Sequence, residues 1–191
     1  MHYIDPYAKL ITHTINPAQA IYQGFKTCVT PLEPITFPPL PEMDAFIRKR
    51  LKAEHAHESV LEHASFTFEI VCSRATSHQF VRHRIASYSQ QSQRYCAFDN
   101  LGVLVPDAIK KDAACRERFE KLHAEVEDAY KFFLEHKIKP EDARSVLTEA
   151  QSTRFQVTMN ARALRNFFGE RLCRRAQREI RQIAWEMLHQ C

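Results

Sequence analysis

The sequence predicts an α+β fold, on two observations. Segments in which apolar and polar residues alternate, as on a half-buried strand, are interleaved with segments whose apolar residues recur every three to four positions. The alternating segments suit antiparallel pairing, which places the chain in the α+β type of α/β protein. Its 191 residues fit one domain, residues 1–191, with enough chain for a sizeable core. A composition of 45% hydrophobic and 26% charged residues is that of a soluble globular protein.

From the N-terminus, Tyr7 to Ile15 is rich in strand formers and reads as a strand. Asn16-Pro17 reads as an N-cap followed by proline at the first helical position, opening a helix through about Cys28. Between Thr30 and Pro41, five prolines in twelve residues demand an irregular or extended surface loop. Asp44 to about His55 is helical. Ser65 to Cys72 is a strand with Phe66, Phe68, Ile70 and Cys72 on one face. Ser73 to Arg84 starts with an N-cap serine, lacks Gly and Pro, and reads as a short helix. Asp107 to Lys137 is a long helix bracketed by Pro106 and Pro140, with the pairs Glu117–Lys121 and Glu127–Lys131 along it. Pro140 to about Gln151 adds a short helix, and Arg154 to Met159 alternates as a strand. Ala161 to His189 is helical, with Leu164, Phe168, Leu172, Ala176, Ile180, Ile183 and Met187 along one stripe.

Several classes are excluded. No run approaches the roughly 20 apolar residues of a membrane span, and the N-terminus lacks a secretory signal pattern. The six cysteines, none in a CxxC pair, suit a reduced cytoplasmic setting, most of them as small core residues. Only three glycines, Gly24, Gly102 and Gly169, rule out a GxGxxG turn and a Walker loop. Any phosphate is therefore bound mainly by side chains. The net charge of +4 suits an anionic small ligand or a nucleic acid without separating them.

Arg82 to Tyr95 (RHRIASYSQQSQRY) is the most informative stretch. It combines arginine, histidine, serine and glutamine with no acidic residue. Arginine grips phosphate in a bidentate way, while serine and glutamine read base edges and hydroxyls. On a helix Gln79, Arg82 and His83 share a face; on an extended segment Gln90, Ser92 and Arg94 point to one side. Two such faces form walls of one pocket. A solvated basic surface is the alternative reading.

Other clusters are weaker. His57 to His63 (HESVLEH) is not a zinc motif, because on an α-helix its histidines stand about 120° apart; no metal is expected. The arginines from Arg162 to Arg181 read mostly as a solvated basic face. Arg162 and Asn166 stand apart, sharing a helix face just after Asn160 at a strand-to-helix junction. Cys72 and Cys96 flank the motif without a paired base and read as buried strand cysteines.

Taken together these residues resemble the flavin-dependent thymidylate synthases. The family motif RHRxxSxxxxSxRY is filled in register by Arg82, His83, Arg84, Ser87, Ser92, Arg94 and Tyr95. The resemblance extends to HESVLEH, Gln79, Arg144, Thr158 to Phe167, Arg171 and Ala176 to Ile180. It implies a central, mostly antiparallel sheet flanked by helices. It also implies a homotetramer with FAD and substrate sites shared between subunits, and conversion of dUMP to dTMP. Methylenetetrahydrofolate supplies the carbon, NADPH reduces the flavin, and no enzyme cysteine attacks the ring. Residue by residue, Ser59, Arg82, His83, Arg84, Gln90, Asn160, Arg162 and Asn166 resemble the FAD contacts. The nucleotide set is Gln79, Arg82, Gln90, Gln91, Ser92, Gln93, Arg94, Arg144 and Arg171. Arg171 resembles the catalytic arginine that favours ionisation of the uracil ring, a role suited to a permanently charged guanidinium. Ser89 and Gln90 depart from the Asn and Glu of many members, so an acidic contact becomes a neutral one. The family's N-terminal flavin contact falls near Thr27 to Thr30. A related pyrimidine-nucleotide enzyme, a nucleic-acid-binding protein and an inactive relative are the rival readings. A membrane partner is not expected.

Overall fold

The computed structural model describes residues 2–53, 56–97 and 102–191. Strand β1 (His2–Tyr3) and strand β2 (Tyr7–His13) lead into helix α1 (Pro17–Thr27). Pro17 stands in the first turn as expected, but Asn16 does not cap with its side chain. Its φ of 52° is left-handed, and its amide donates instead to Gln19 Oε1 at 3.4 Å. Helix α2 (Leu40–Leu51) begins inside the proline-rich stretch, earlier than the expected Asp44. Pro41 lies in the first turn, where a missing N–H leaves no helical bond unmade.

A 3₁₀ turn (Glu58–His63) precedes strand β3 (Ser65–Ser73) and helix α3 (Arg74–Phe80). Ser73 caps α3 as predicted, its hydroxyl accepting from Thr76 N at 3.1 Å. The helix stops at Phe80, so Arg82 and His83 lie in the following turn, and the expected helical face of Gln79, Arg82 and His83 does not form. Strand β4 covers Ser87–Gln90. Ser92 and Arg94 lie beyond its end, so the expected strand-like alternation of Gln90, Ser92 and Arg94 is absent.

Strand β5 (Gly102–Val103) and helix α4 (Asp107–Lys111) come next. The predicted long helix is split: Asp112 is extended and caps helix α5 (Ala113–Glu135), accepting from Cys115 N at 2.9 Å. A short acidic side chain favours such a cap over a helix interior. Helix α6 (Pro140–Ala143) and a 3₁₀ turn (Arg144–Val146) lead to strand β6 (Ser152–Asn160). The C-terminal helix also divides, into α7 (Ala161–Arg171) and α8 (Arg178–Gln190). One continuous helix from 161 to 189 would run about 44 Å and overrun nine-residue strands of about 30 Å.

The main sheet has the order β2-β3-β6-β4 and is antiparallel throughout; β1 and β5 form a separate parallel pair. Phe66, Phe68, Ile70 and Cys72 of β3 join Phe155, Val157 and Met159 of β6 in the main core. Residues of α1, α2, α7 and α8 complete that core, so these helices cover one face of the sheet. The edge strand β2 is closed by side chains from α8. Ala8 N donates to Glu186 Oε2 at 2.9 Å, and Leu10 N to Gln190 Oε1 at 2.7 Å. Open edges are otherwise templates for unwanted pairing. Among the described residues no helix is long and apolar enough to cross a membrane.

Candidate functional site

The C-terminal end of α7 meets the turn after α3. Arg171 Nε donates to His83 Nε2 at 3.0 Å, and Arg171 Nη2 donates to Gln79 O at 3.3 Å. A guanidinium has no acceptor, so His83 Nε2 must be the unprotonated nitrogen and the ring is neutral with its proton on Nδ1. Burial first, and the Arg171 charge second, hold His83 below its ordinary value. The ring stands edge-on to Phe167 with centroids 4.9 Å apart. The side chain of Gln79 donates to Gln177. Tyr88, reaching back from β4, shares its one hydroxyl proton between Phe80 O and His83 O, 2.7 and 2.9 Å away. That phenol ties the turn carrying Arg82, His83 and Arg84 to the sheet, and burial pushes it up to about 12.

Gln90 and the residues after it form a second group. Gln90 Nε2 donates to Ser77 Oγ and Thr153 Oγ1. Gln91 N continues the ladder to Arg154 O at 2.9 Å. Ser92 Oγ accepts from Arg94 N at 3.2 Å, making the local turn, and Gln93 is half-buried within it. Arg94 donates through Nε and Nη2 to Glu141 Oε2 at 3.2 and 3.0 Å. Arg144 Nε donates to the backbone oxygen of the same Glu141 at 3.0 Å. Arg94 and Arg144, far apart in sequence, therefore share one neighbour.

The other end of α7 holds a third group. Asn160 spends its side-chain oxygen on the helix cap, accepting from Ala163 N at 2.8 Å, which leaves its amide N–H groups as donors. Arg162 pairs with Glu62 at 2.6 Å and Arg165 with Glu58 at 2.5 Å. Ser59 and Asn166 are exposed nearby, on the 3₁₀ turn and on α7, which pack together. Along α7 (Ala161–Arg171) this group stands apart from Arg171, by about 8 Å at Asn166 and about 16 Å at Asn160.

Arg82 and Arg84 are exposed and make no ion pair among the described residues. Among the C-terminal arginines, expected mostly as a solvated basic face, Arg162, Arg165 and Arg178 each meet an acid while staying about half exposed. His57 and His63 bound a 3₁₀ turn, so the α-helical angle between them does not apply. No group of three or more metal-ligating side chains occurs among the described residues. Of the cysteines only Cys72 is buried; Cys28, Cys115 and Cys191 are exposed, correcting the expectation that most lie in the core. Cys96, expected as a buried strand residue, is partly buried beyond β4. The Glu117–Lys121 pair does not form, whereas Lys131 meets Glu127 at 2.7 Å.

A cavity of about 660 Å³ is lined by Ile4, Leu104, Asp107, Lys110 and Arg178 among others and by no residue of the 82–95 segment. Of the motif side chains, Arg82, Arg84 and Arg94 are exposed, whereas His83, Tyr88 and Gln90 are partly buried. Sequence reasoning missed Tyr88, Ser77, Thr153 and Glu141. An aromatic inside an otherwise polar run was a signal for Tyr88. The other three announce themselves only through partners distant in sequence.

A family model described as Thy1, thymidylate synthase complementing protein, matches residues 9–191. The flavin-dependent thymidylate synthase of Pyrococcus furiosus is 51% identical over 141 residues, 71% of this chain and 58% of that protein. The aligned chain thus spans little more than half of that relative. The flavin-dependent thymidylate synthase of Geobacter sulfurreducens is 45% identical over 188 residues, 94% of this chain and 79% of its own. The crystal structure of the UMP/dUMP methylase PolB from Streptomyces cacaoi bound with 5-Br dUMP has a TM-score of 0.87. It covers 100% of this chain and 92% of its own at 21% identity, a likeness of fold. A match over nearly the whole sequence, on the fold and motif already described, makes this chain a member of the flavin-dependent thymidylate synthase family.

Proposed function

We propose that this chain, as one domain over residues 1–191, methylates dUMP to dTMP. Methylenetetrahydrofolate is the carbon donor, NADPH the reductant and FAD the bound cofactor. The observation that carries the reading is the contact between charged Arg171 and neutral His83. A guanidinium held by an uncharged partner keeps its full charge for a ligand, whereas a carboxylate would have neutralised it.

The donor set fits a flavin dinucleotide. Arg82 and Arg84, exposed and without ion pairs among the described residues, suit its pyrophosphate. His83, Asn160, Arg162, Asn166 and Ser59 supply further donors, with Gln90 at the sheet edge. Bound there in reduced form, the flavin supplies the hydride, so the folate leaves as tetrahydrofolate. The protein's own part is to bind and orient. Arg144, bonded only to a backbone oxygen among the described residues, and Arg94, on exchanging its Glu141 contact for the ligand, hold the nucleotide phosphate; Gln79, Arg82, Gln91, Ser92 and Gln93 line the rest of the nucleotide. Arg171 stabilises negative charge on the uracil ring, which raises electron density at the carbon to be alkylated.

The proposed assembly is a homotetramer with sites shared between subunits, acting in the cytoplasm. Acid pairing of Arg162, Arg165 and Arg178 speaks against a nucleic-acid partner, since it breaks up the basic surface. The test is a visible absorption spectrum of the purified protein after FAD is added and the excess removed, followed by dUMP. A retained flavin spectrum that shifts with dUMP is expected. A folded protein that keeps no flavin and ignores dUMP overturns the reading.

A further inference from the structure

Gln90 closes β4, and its side-chain nitrogen lies 3.0 Å from Ser77 Oγ and 3.1 Å from Thr153 Oγ1. Both hydroxyl residues are buried, at 1% and 3% exposure. Which end of the amide faces them follows from where each proton goes. Ser77 Oγ donates its only proton to Arg74 O at 2.9 Å, so toward Gln90 it can only accept. That requires the NH₂ end of the amide on the Ser77 side. The second N–H then meets Thr153. Both amide protons are spent on the protein interior. The remaining oxygen, Oε1, has no partner among the described residues and is not closed off from solvent.

A carboxylate at this position brings no proton to Ser77. It would make the Ser77 hydroxyl abandon Arg74 O, so the pocket behind Gln90 is matched to an amide. We infer that Ser77 and Thr153 are positioning residues. They lock Gln90 with its carbonyl outward, as a neutral acceptor for a hydrogen-bond donor on the ligand. That donor is a sugar hydroxyl of the nucleotide or the imide N–H of the flavin. The inference rests on the proposed function for the identity of the ligands, and the geometry of the lock stands apart from it.

The test is a double-mutant cycle on ligand binding. Dissociation constants for FAD, and for dUMP on the FAD-loaded protein, are measured for Ser77→Ala, Thr153→Val, Thr153→Ser and Gln90→Ala, singly and combined. Loss of one oriented hydrogen bond is expected to weaken a ligand by about fivefold. Thr153→Ser, which keeps the hydroxyl, is expected to restore wild-type affinity. In the Gln90→Ala background the Ser77 and Thr153 changes should add nothing, because residues acting through one group are not additive. Loss confined to dUMP assigns the donor to the nucleotide; loss confined to FAD assigns it to the flavin. Unchanged affinities for both, or an equal loss in the Gln90→Ala background, overturn the inference while leaving the proposed function intact. Wild-type protein that binds neither ligand overturns both. If Ser77→Ala fails to fold, the Thr153→Val and Thr153→Ser pair decides alone.

Discussion

The two ends of α7 solve opposite electrostatic problems. At its N-terminal end Arg162 and Arg165 lie against Glu62 and Glu58, half-exposed pairs whose charges are already matched and screened by water. At its C-terminal end Arg171 donates to an uncharged imidazole, and the nearby acid, Glu170, stands 3.9 Å from that ring nitrogen with its side chain 66% exposed. Salt bridges of the first kind contribute about 0–1 kcal/mol of stability. A charge of the second kind ties α7 to the segment around α3 through neutral partners and keeps its charge for a ligand. Within one eleven-residue helix, the arginine bonded to an uncharged ring is the one proposed to act on the uracil ring.

Removing that arginine has the largest expected effect. Arg171→Ala is expected to lower dUMP methylation by at least about a hundredfold, the scale of losing one electrostatic donor to developing charge. Much of the flavin should remain bound, because Arg82 and Arg84 are untouched. Turnover assays beside the flavin spectrum check both halves; wild-type turnover would remove Arg171 from its assigned role.

A smaller effect concerns the neutral partner. Unfolded His83 takes up a proton near pH 6.5, while burial and then Arg171 hold the folded ring below that. Between the two values the unfolded state binds more protons. His83 therefore contributes stability that is fully present above about pH 6.5 and falls as pH drops toward the folded value. In Arg171→Ala the His83 titration, followed by NMR of the ring, should move upward without reaching the ordinary value. Burial, the larger cause, remains. A titration that does not move would mean that Arg171 leaves the ring's charge unaffected.

The same contrast explains what was legible in the sequence. The central strands could be read because Phe66, Phe68, Ile70 and Cys72 alternate and the core takes every second residue. The identities of the candidate site residues came from the motif. Their placement was not, since Arg82 and His83 sit in a turn held by Tyr88 and Ser92 and Arg94 sit past a strand end. A hydrogen bond such as Ser77 to Gln90, or the sharing of Glu141 by Arg94 and Arg144, leaves no periodic trace. The breaks at Asp112 and after Arg171 were missed because helical spacing on either side of a short cap looks continuous.

At the acid-paired end of α7 the expected change is modest. Glu58→Gln removes the charge facing Arg165 at 2.5 Å and Arg162 at 3.9 Å. Denaturant unfolding should show a loss of less than about 1 kcal/mol, shrinking further in high salt as screening replaces the lost partner. A loss of several kcal/mol would mean that this end is structurally more than a screened surface pair.

The smallest effect on turnover is expected from the cysteines nearest the motif. Cys72 is fully buried, and burial, followed by Glu179, pushes its thiol far above the ordinary range. A thiolate is the nucleophilic form, so this sulfur is held in the wrong state for attack, and its proton is donated to Ser73 O at 3.2 Å. Cys96 lies beyond β4 with no base bonded to it among the described residues. Cys72→Ser and Cys96→Ser, singly or together, should keep turnover within roughly twofold of wild type. Cys72→Ser is expected to cost about 1 kcal/mol of stability for placing a hydroxyl in an apolar site. Complete loss of turnover in a folded Cys72→Ser or Cys96→Ser protein would transfer the chemistry from the arginine end of α7 to a cysteine nucleophile.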